Sequence, residues 1–383
     1  MAIGNEIFNQ SIVIDNGSGM IKAGYAGDDF AKIHHSNIIG MPKYEKIKYI
    51  PSDIGEKDQF VGNEAQKRRG LLKLEYPLHN GTVENWDSLE IIWQEIFKGL
   101  SVSNSKEHPV LITEAPLNAR KNRKEMVEIL FENFNCPAVY VALPPVLSLY
   151  ATGKTTGVVL DSGDTVTSIV PVYDGFAVPG SLKRMNIAGR NITKVLQREL
   201  MKDGYLLNSS GEFEVVRNLK ERLGRVSANS LDLKSSLLHM QTETGKQEFR
   251  LPDGKIIHVG ANSIHKSTEI LFQPQIIGSE EYGIHHQLND AILKTDVDLR
   301  AQLFENIVLA GGSTMYRNFG ARVLKELHAL DTDVKLKMYA SPGRKTSAFI
   351  GGSILASLST FKNLLITKSQ YKEDNSCIYD KFI

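Results

Sequence analysis

The chain has 383 residues, of which 42% are hydrophobic and 23% charged, so a disordered chain is excluded and two globular domains are expected. Its 45 lysines and arginines balance 44 aspartates and glutamates, so no nucleic acid or membrane surface is an expected partner. Two cysteines are too few for a disulfide framework and suit a reducing compartment. MAIGNEIFNQ lacks the regions of a secretory signal, and no apolar run approaches the ~20 residues of a bilayer span.

The segment Ser11–Gly27, SIVIDNGSGMIKAGYAG, predicts a β-hairpin, because an apolar run ends at Asp15 and an Asn-Gly-Ser-Gly turn follows. Glycines let backbone N–H groups surround an anion, and Lys22 could place an ammonium group on the same anion. The Asp15 carboxylate could hold a hydrated Mg²⁺ beside phosphates. An ordinary polar hairpin tip is the alternative for this stretch alone.

The segment Gly157–Gly175, GVVLDSGDTVTSIVPVYDG, repeats the plan with Asp161, Gly163 and Asp164 at its turn. Two such hairpins facing each other across a cleft would hold a nucleotide diphosphate or triphosphate between two lobes. An internal repeat of this kind affects the whole fold assignment. A chance match of two short Asp-Xaa-Gly turns is the alternative.

Strands and helices alternate along the first half of the chain, which indicates an α/β layered core. Phe30–Gly62 is expected to be small, irregular and mobile, with a basic strand-like part and a polar loop. Asp87 is the expected N-cap of the first strong helix. The predicted elements are the helix Asn85–Leu100, the strand Val110–Ile112, the helix Leu117–Phe134, the strand Ala138–Val141 and the short segment Val146–Tyr150.

Strands and helices are predicted to alternate in the second half of the chain as well. The predicted helices are Asn191–Met201, Glu212–Ser227, Gly283–Leu293 and Phe319–Leu330, with loop and helix over Ala228–Lys246, a hairpin over Phe249–Val259 and a strand at Ile307–Ala310. The Gly311-Gly312-Ser313 break after that strand would let a ring or phosphate approach the backbone. Ile350–Leu355 is predicted to be a close-packed helix start.

The histidines and cysteines show no spacing typical of a metal site. His34-His35 and His285-His286 are adjacent pairs, which do not share a helix face, and the cysteines are far apart. A zinc site is therefore not expected.

Five segments together resemble the actin superfamily: Asp15–Asp29, ITEAPLNARKNR at Ile112–Arg123, VLSLYATGKTTGVVLDSGD at Val146–Asp164, IAGRNIT at Ile187–Thr193, and IGGSILASLSTF at Ile350–Phe361. The resemblance runs from about Asn9 to the C-terminus without a large insertion. It implies an α/β, actin-like ATPase fold, in which two lobes of duplicated sheet-and-helix domains surround a cleft for ATP or ADP and Mg²⁺ or Ca²⁺. The implied subdomains are 1–36, 77–151 and 347–383 (subdomain 1), 37–76 (subdomain 2), 152–187 and 279–346 (subdomain 3), and 188–278 (subdomain 4).

The resemblance also implies roles for single residues. Asp15 and Asp161 match carboxylates that order the water around the metal ion, and Asp161 is the candidate catalytic residue. The matched nucleotide-binding positions are Gly17, Ser18, Gly19, Met20 and Lys22 in the first phosphate loop, Gly163, Asp164 and Thr165 in the second, Gly189 beside the sugar, Arg217, Lys220 and Glu221 at base and ribose, and Gly312, Ser313, Met315 and Lys345 around the adenosine.

Three positions depart from actins inside this site. Pro144 stands where actins have a glutamine that orients the attacking water, and Ser168 replaces a histidine near the water chain. Thr165 replaces a glycine and is expected to crowd the γ-phosphate. Because phosphoryl transfer depends on a positioned water, we expect ATP binding with slow hydrolysis.

Within the superfamily the chain is most similar to actin-related proteins of the centractin type, on EHPVLITEAPLNARKNR, ATGKTTGVVLDSG, SSGEFEVVRNLKER, LPDGK and RNFGARVL. A single Glu6 replaces the acidic N-terminal run of conventional actins, and Asn80 replaces the histidine that they methylate. Pro144 and Ser168 depart from centractins too, which suggests a divergent, fungal-like member. Centractin resemblance implies a short capped filament in dynactin, with dynactin subunits, capping proteins and dynein adaptors as partners, in the cytoplasm on the microtubule cytoskeleton.

Filament contacts are expected from the loop Met41–Gly62, the groove near Tyr150 and Thr360, and the loop Ser263–Gly278. The apolar Ile270–Phe272 lies in the last of these and is a plausible interface, with packing inside its own subunit as the alternative. A divergent cytoskeletal actin with long dynamic filaments, a sugar kinase of the wider superfamily and a nuclear actin-related protein are the other function classes.

Overall fold

A computed structural model describes residues 8–43, 58–102, 104–230, 246–330 and 335–380. The strands are β1 Ile12–Asn16, β2 Met20–Tyr25, β3 Ile33–Ser36, β4 Ile39–Pro42, β5 Phe60–Val61, β6 Leu72–Glu75, β7 Leu78–His79, β8 Thr82–Val83, β9 Val110–Thr113, β10 Ala138–Ala142, β11 Gly157–Ser162, β12 Thr167–Tyr173, β13 Phe176–Ala177, β14 Lys183–Met185, β15 Gln247–Arg250, β16 Ile256–Val259, β17 Ile307–Ala310, β18 Met338–Tyr339 and β19 Ile366–Thr367.

The helices alternate with these strands. The α-helices are Gly62–Lys67, Trp86–Gly99, Arg120–Glu132, Pro144–Tyr150, Gly189–Lys202, Ser210–Leu223, Ala261–Glu269, Ile284–Leu293, Val297–Phe304, Phe319–Leu330, Ser347–Ser357, Lys368–Glu373 and Cys377–Asp380. Short 3₁₀ helices cover Ser105–Glu107, Pro274–Ile277, Gly312–Met315 and Ser359–Asn363. Among the helices in the described ranges, none has the length and apolarity that a bilayer crossing needs.

Two six-stranded sheets of the same plan form the two halves of the fold. The first has the order β19-β10-β9-β1-β2-β3, and the second has β13-β12-β11-β17-β18 with β14 also paired to β12. In each sheet a hairpin, β1–β2 or β11–β12, places its first strand parallel to a later strand, β9 or β17. The predicted α/β fold of duplicated domains is therefore confirmed.

Both hairpins form in the predicted places, and their registers show how far the repeat extends. Asp15 pairs with Lys22 across β1–β2, and Asp161 pairs with Ser168 across β11–β12. The two aspartates therefore occupy equivalent positions in the two sheets. Only the first has a lysine as its cross-strand partner, so the repeat is one of backbone and not of charge.

Each sheet is covered by helices that bury one apolar face. The first core lies around the helices Trp86–Gly99 and Arg120–Glu132, and Trp93 is fully buried in it. The second core lies around the helices Ile284–Leu293 and Phe319–Leu330. The helices Pro144–Tyr150 and Ser347–Ser357 pack so closely that a Cβ at Gly351 would lie 1.7 Å from the Leu147 carbonyl oxygen. Close packing of the Ile350–Leu355 segment is thus confirmed, but its prediction as a helix start is wrong, because the helix begins at Ser347.

Several predicted details are wrong. Asn85, not Asp87, caps the helix Trp86–Gly99, because its side chain accepts from the Ser88 amide at 3.0 Å. The helix predicted over Leu117–Phe134 begins only at Arg120, because Leu117 has a φ of 54°, outside the helical region.

The apolar segment Ile270–Phe272 is also corrected. Its three side chains are at most 3% exposed and belong to the second core, so the segment packs within its own subunit. Much of the stretch predicted as the Ser263–Gly278 loop is helical, in Ala261–Glu269 and Pro274–Ile277. The predictions for the polar loop after Lys43 and for most of Ala228–Lys246 lie outside the described residues.

The buried imidazole of His285 predicts acid sensitivity of the fold. Burial, helped by His286 and Arg322 and opposed by Glu326, lowers the pKa of His285 to about 4. Because the folded protein favours the neutral imidazole, its full contribution is present above the unfolded pKa of 6.5 and is lost as the pH falls towards 4. Between about pH 7.5 and about pH 5 the cost is about 2 kcal/mol.

We expect His285→Phe, which keeps the ring stacked on Phe272, to remove most of this loss in urea unfolding free energy. His328→Phe, at an exposed histidine, is the matched control and should keep the wild-type pH dependence. Equal acid sensitivity of His285→Phe and wild type would contradict the assignment.

Candidate nucleotide-binding site

The first hairpin brings an ion pair to the cleft end of the first sheet. The Lys22 Nζ donates to Asp15 Oδ2 at 2.7 Å, and both residues are buried. The Thr113 hydroxyl donates to Asp15 Oδ1 at 3.1 Å and accepts from the Asn16 amide at 2.9 Å. Thr113 ends β9, the parallel neighbour of β1, so the carboxyl ends of two strands fix the carboxylate.

The second hairpin presents its aspartate without such a partner. Burial and the charge of Asp15 raise the pKa of Asp161 to about 7, and Lys22 opposes the shift. The cross-strand residue is Ser168, which carries no charge. A cation held by the two carboxylates would offset their mutual repulsion. Two carboxylates brought together in this way are typical of a divalent metal site.

The two hairpin turns contact each other directly. A Cβ at Gly19 would lie 2.7 Å from the Asp164 Cβ, so a larger residue there would separate the turns. The Thr165 hydroxyl donates to the Ser18 hydroxyl at 2.8 Å and accepts from the Gly81 amide at 3.2 Å. Thr165 is 2% exposed, so it bridges the turns from behind.

Arg190 joins the second turn to the first lobe. Its guanidinium forms an ion pair with Asp164 at 2.7 Å and reaches the Leu78 and Ser18 carbonyl oxygens at 3.3 and 3.4 Å. It also lies over the Tyr76 ring, 4.2 Å from the centroid. The side chain is buried, so this network fixes the relative position of the turns.

The floor of the cleft is assembled from four separate segments. The Lys220 Nζ donates to the Gly189 carbonyl oxygen at 2.8 Å, and the Ser313 hydroxyl donates to the Gly163 carbonyl oxygen at 2.7 Å. Burial lowers the pKa of Lys220 to about 8. Gly311 has a φ of 84°, and a Cβ there would lie 2.4 Å from Asp161 Oδ1. Only glycine fits this turn between β17 and the Gly312–Met315 helix.

The cleft has a volume of about 410 Å³ and opens between the two sheets. Of the residues predicted to bind nucleotide or metal, it is lined by Asp15, Gly17, Ser18, Gly19, Met20, Lys22, Asp161, Gly163, Asp164, Gly189, Arg217, Lys220, Glu221, Gly312, Ser313, Met315 and Lys345. Thr165 is the exception, because its side chain points into the contact between the turns. The expectation that it crowds a γ-phosphate is not supported by this position.

The two water-positioning departures lie on the wall of the same cleft. Pro144 begins the helix Pro144–Tyr150, and Ser168 lies on β12 opposite Asp161. Ser168 is 4% exposed, and its side chain is shorter than the imidazole that the resemblance implies at this position. Proline has no side-chain donor or acceptor, and the serine hydroxyl is short. Neither side chain therefore has the reach of the glutamine and histidine that the resemblance implies here.

A set of polar contacts beside the cleft, here called the clasp, connects the segment 66–76 with the helix Ser210–Leu223. The Glu214 carboxylate accepts from Gln66 Nε2 at 2.8 Å and from the Tyr76 hydroxyl, and it pairs with Arg217 at 3.0 Å. The Leu74 amide donates to the Ser210 hydroxyl at 3.2 Å. Glu214 is 1% exposed. Because Arg217 lines the cleft, opening of the clasp would also release a cleft residue.

We expect Gln66→Ala to accelerate nucleotide exchange about fivefold, since one hydrogen bond across the clasp contributes ~1 kcal/mol. Displacement of a fluorescent ATP analogue by excess ATP measures the rate. Gln94→Ala is the matched control, because Gln94 bonds only Glu90 within its own exposed helix face among the described contacts. An unchanged exchange rate in Gln66→Ala would show that the clasp does not limit opening.

Comparison with known proteins agrees with this architecture. The family model described as Actin matches residues 8–382. An "Actin-like protein" from Neurospora crassa is 45% identical over 381 residues, which cover 99% of this chain and 99% of that protein. The chain belongs to the actin family.

Actin-family proteins generally bind ATP or ADP with a divalent metal ion, and the residues of this cleft fit that group. Glycine-rich turns leave room for phosphates against the backbone, Lys22 supplies a cation, and Asp15 and Asp161 supply oxygens. The described ranges contain no cluster of three or more histidine, cysteine, aspartate or glutamate side chains placed to hold a metal. Asp15 and Asp161 would hold the metal ion through water, which does not need such a cluster.

Sequence reasoning missed the residues that hold the actin-family site together. Thr113, Arg190, Glu214 and Tyr76 touch the predicted site residues or close the clasp. Thr113 could have been found, because it directly follows the predicted strand Val110–Ile112, at the end of a strand where α/β folds place their site residues. The other three act through contacts between segments distant in sequence, for which the chain order has no signal.

Proposed function

We propose that this protein is an actin-related, ATP-binding filament subunit. The observation that carries the proposal is the meeting of two glycine-rich hairpin turns over Asp15, Lys22 and Asp161 in one interlobe cleft. The backbone amides of Gly17–Met20 and Gly163–Thr165 would hold the phosphates, with Lys22 on the same anion. Asp15 and Asp161 would orient the water of bound Mg²⁺ or Ca²⁺. The positive charge of the ion would offset the negative charge of the phosphates.

The adenosine would lie at the other end of the cleft. Arg217, Lys220 and Glu221 come from one helix, and Gly312, Ser313 and Met315 come from the turn after β17. Lys345 reaches the same cleft from the segment before the helix Ser347–Ser357. These residues would bind the base and ribose, while Gly189 leaves room beside the sugar.

Hydrolysis of the bound ATP is proposed to be slow. Asp161 is the candidate catalytic carboxylate. The Pro144 side chain cannot accept a hydrogen bond from an attacking water. Ser168 lies across the strand pair from Asp161 and has one short hydroxyl. The protein would therefore act mainly as a nucleotide-stabilised building block.

The filament is proposed to be of the centractin type. The centractin-like segments named above support a short filament of dynactin, for dynein-driven transport of cargo and positioning of the spindle and nucleus along microtubules. Capping proteins, other dynactin subunits and dynein adaptors would be the partners, in the cytoplasm. The subdomain boundaries given in the sequence analysis are proposed with it; the buried Ile270–Phe272 is left out of the contact surface.

Negative-stain electron microscopy of the purified protein with Mg-ATP tests the assembly. Short filaments of uniform length are the expected result for a dynactin scaffold. Long filaments of widely dispersed length would favour the alternative, a divergent cytoskeletal actin. Co-purification with dynein adaptors separates the two independently, and monomers under all nucleotide conditions would oppose self-association without partners.

A further inference from the structure

The exposed edge of the second sheet carries a tyrosine between lysines. Tyr339 ends β18, which pairs in parallel with β17 at the edge of the sheet. One side of its ring packs against the apolar cluster that contains Val308 and Leu149. The residue as a whole is half-buried, so part of it faces solvent at this edge.

Two ammonium groups flank this ring. The Lys154 Nζ lies 4.1 Å from the ring centroid, and the Lys337 Nζ lies 5.0 Å from it. Lys154 is held there because it donates to Asn306 Oδ1 at 2.7 Å. Lys337 precedes Tyr339 by two residues on an extended segment, which places both side chains on one face. The arrangement is therefore fixed by the backbone on one side and by a hydrogen bond on the other.

The two lysines shift the pKa of the Tyr339 hydroxyl in the direction opposite to the shift that burial causes. The ammonium groups of Lys337 and Lys154 stabilise the phenolate form and so lower the pKa of Tyr339. Buried tyrosines of the same protein, such as Tyr316, have a raised pKa because of desolvation. Glu305 is the nearby acidic group: it acts on Lys337 and pairs with Lys335 at 3.0 Å.

We infer that Tyr339 is a nucleophilic tyrosine and a covalent modification site for sulfonyl electrophiles, held reactive by Lys154 and Lys337. In the reaction with an aryl sulfonyl fluoride, the phenolate oxygen forms a bond to sulfur while the sulfur–fluorine bond breaks. Fluoride leaves, the phenol proton passes to water, and no oxidant or reductant is needed. The site lies outside the nucleotide cleft and does not depend on the proposed function.

The experiment is limited labelling of the full chain with an aryl sulfonyl fluoride, followed by peptide mass spectrometry. Tyr282 is the internal reference, because it is 68% exposed and its described ring contact is with His286. We expect Tyr339 to be labelled at least about fivefold faster than Tyr282, the effect of a unit charge at this range in water. The pH at which the labelling rate reaches half of its maximum should also be lower for Tyr339 than for Tyr282.

Lys154→Met and Lys337→Met should each slow labelling of Tyr339 about fivefold. Lys335→Met is the matched control, since it removes one charge from the same edge but pairs with Glu305. Labelling of Tyr339 no faster than Tyr282, labelling of a lysine instead, or equal slowing by Lys335→Met would overturn the inference. The pH profile of the wild type tests it even if a variant fails to fold.

Discussion

Asparagine in place of Asp161 is expected to weaken the binding of Mg-ATP about 100-fold, equivalent to about 3 kcal/mol. The substitution keeps the shape of the side chain and removes one of the two carboxylates that would orient metal-bound water. Titration with a fluorescent ATP analogue, with Mg²⁺ and with a chelator, measures the effect. The loss should be confined to the Mg²⁺ condition.

The stability of the nucleotide-free protein should respond differently. Asp161 is repelled by Asp15 and lies in a desolvated cleft, which is why its pKa is raised to about 7. Removing its charge relieves that repulsion, so the thermal midpoint without nucleotide should not fall. Asp174→Asn is the matched control, because Asp174 is an exposed turn residue at the far end of the same hairpin with a φ of 49° that asparagine tolerates. A fall in both affinity and thermal midpoint would indicate a structural role for Asp161.

Restoring the water-positioning side chains should raise ATP hydrolysis. We expect Pro144→Gln combined with Ser168→His to increase phosphate release about 100-fold, the lower end of what a positioned acid–base group contributes. The glutamine amide could contact a water in the cleft, and the imidazole would add a second polar group opposite Asp161. Glutamine is tolerated at the first turn of the helix, where proline now stands.

Single-turnover phosphate release with a fluorescent phosphate sensor is the measurement. Each single variant should give a smaller gain than the pair, and affinity for ATP should stay within about threefold of wild type, under 1 kcal/mol. Phosphate release by the unaltered protein at the rate of a typical actin filament would refute slow hydrolysis. An unchanged rate in the double variant would place the limit elsewhere in the site.

Local sequence was sufficient to predict the two hairpins. Asn16–Gly19 and Asp161–Asp164 combine turn residues with flanking apolar runs, and both hairpins form where they were predicted. The helix Phe319–Leu330 and the strand Ile307–Ala310 also have the predicted bounds. In these cases the determining interactions lie within a few residues, so the pattern contains the information.

Details that depend on contacts between distant segments were not predictable in this way. Thr165 resembles a residue that would face a phosphate, but its hydroxyl bonds Ser18, 147 positions earlier in the chain. Ile270–Phe272 resembles an exposed apolar loop, but the second core covers it. In both cases the environment of the side chain is set by another part of the fold.

The duplicated hairpins, the alternation of strands and helices, and the residue types that a nucleotide needs can all be read from local patterns of amino acids. The tertiary structure decided which of these residues share one cleft, and it gave Asp15 a lysine partner while leaving Asp161 opposite a serine. It also decided that Arg190 and Glu214 hold the lobes together. Turn and helix preferences act over a few residues along the chain. Burial and charge pairing depend on segments that only folding brings into contact.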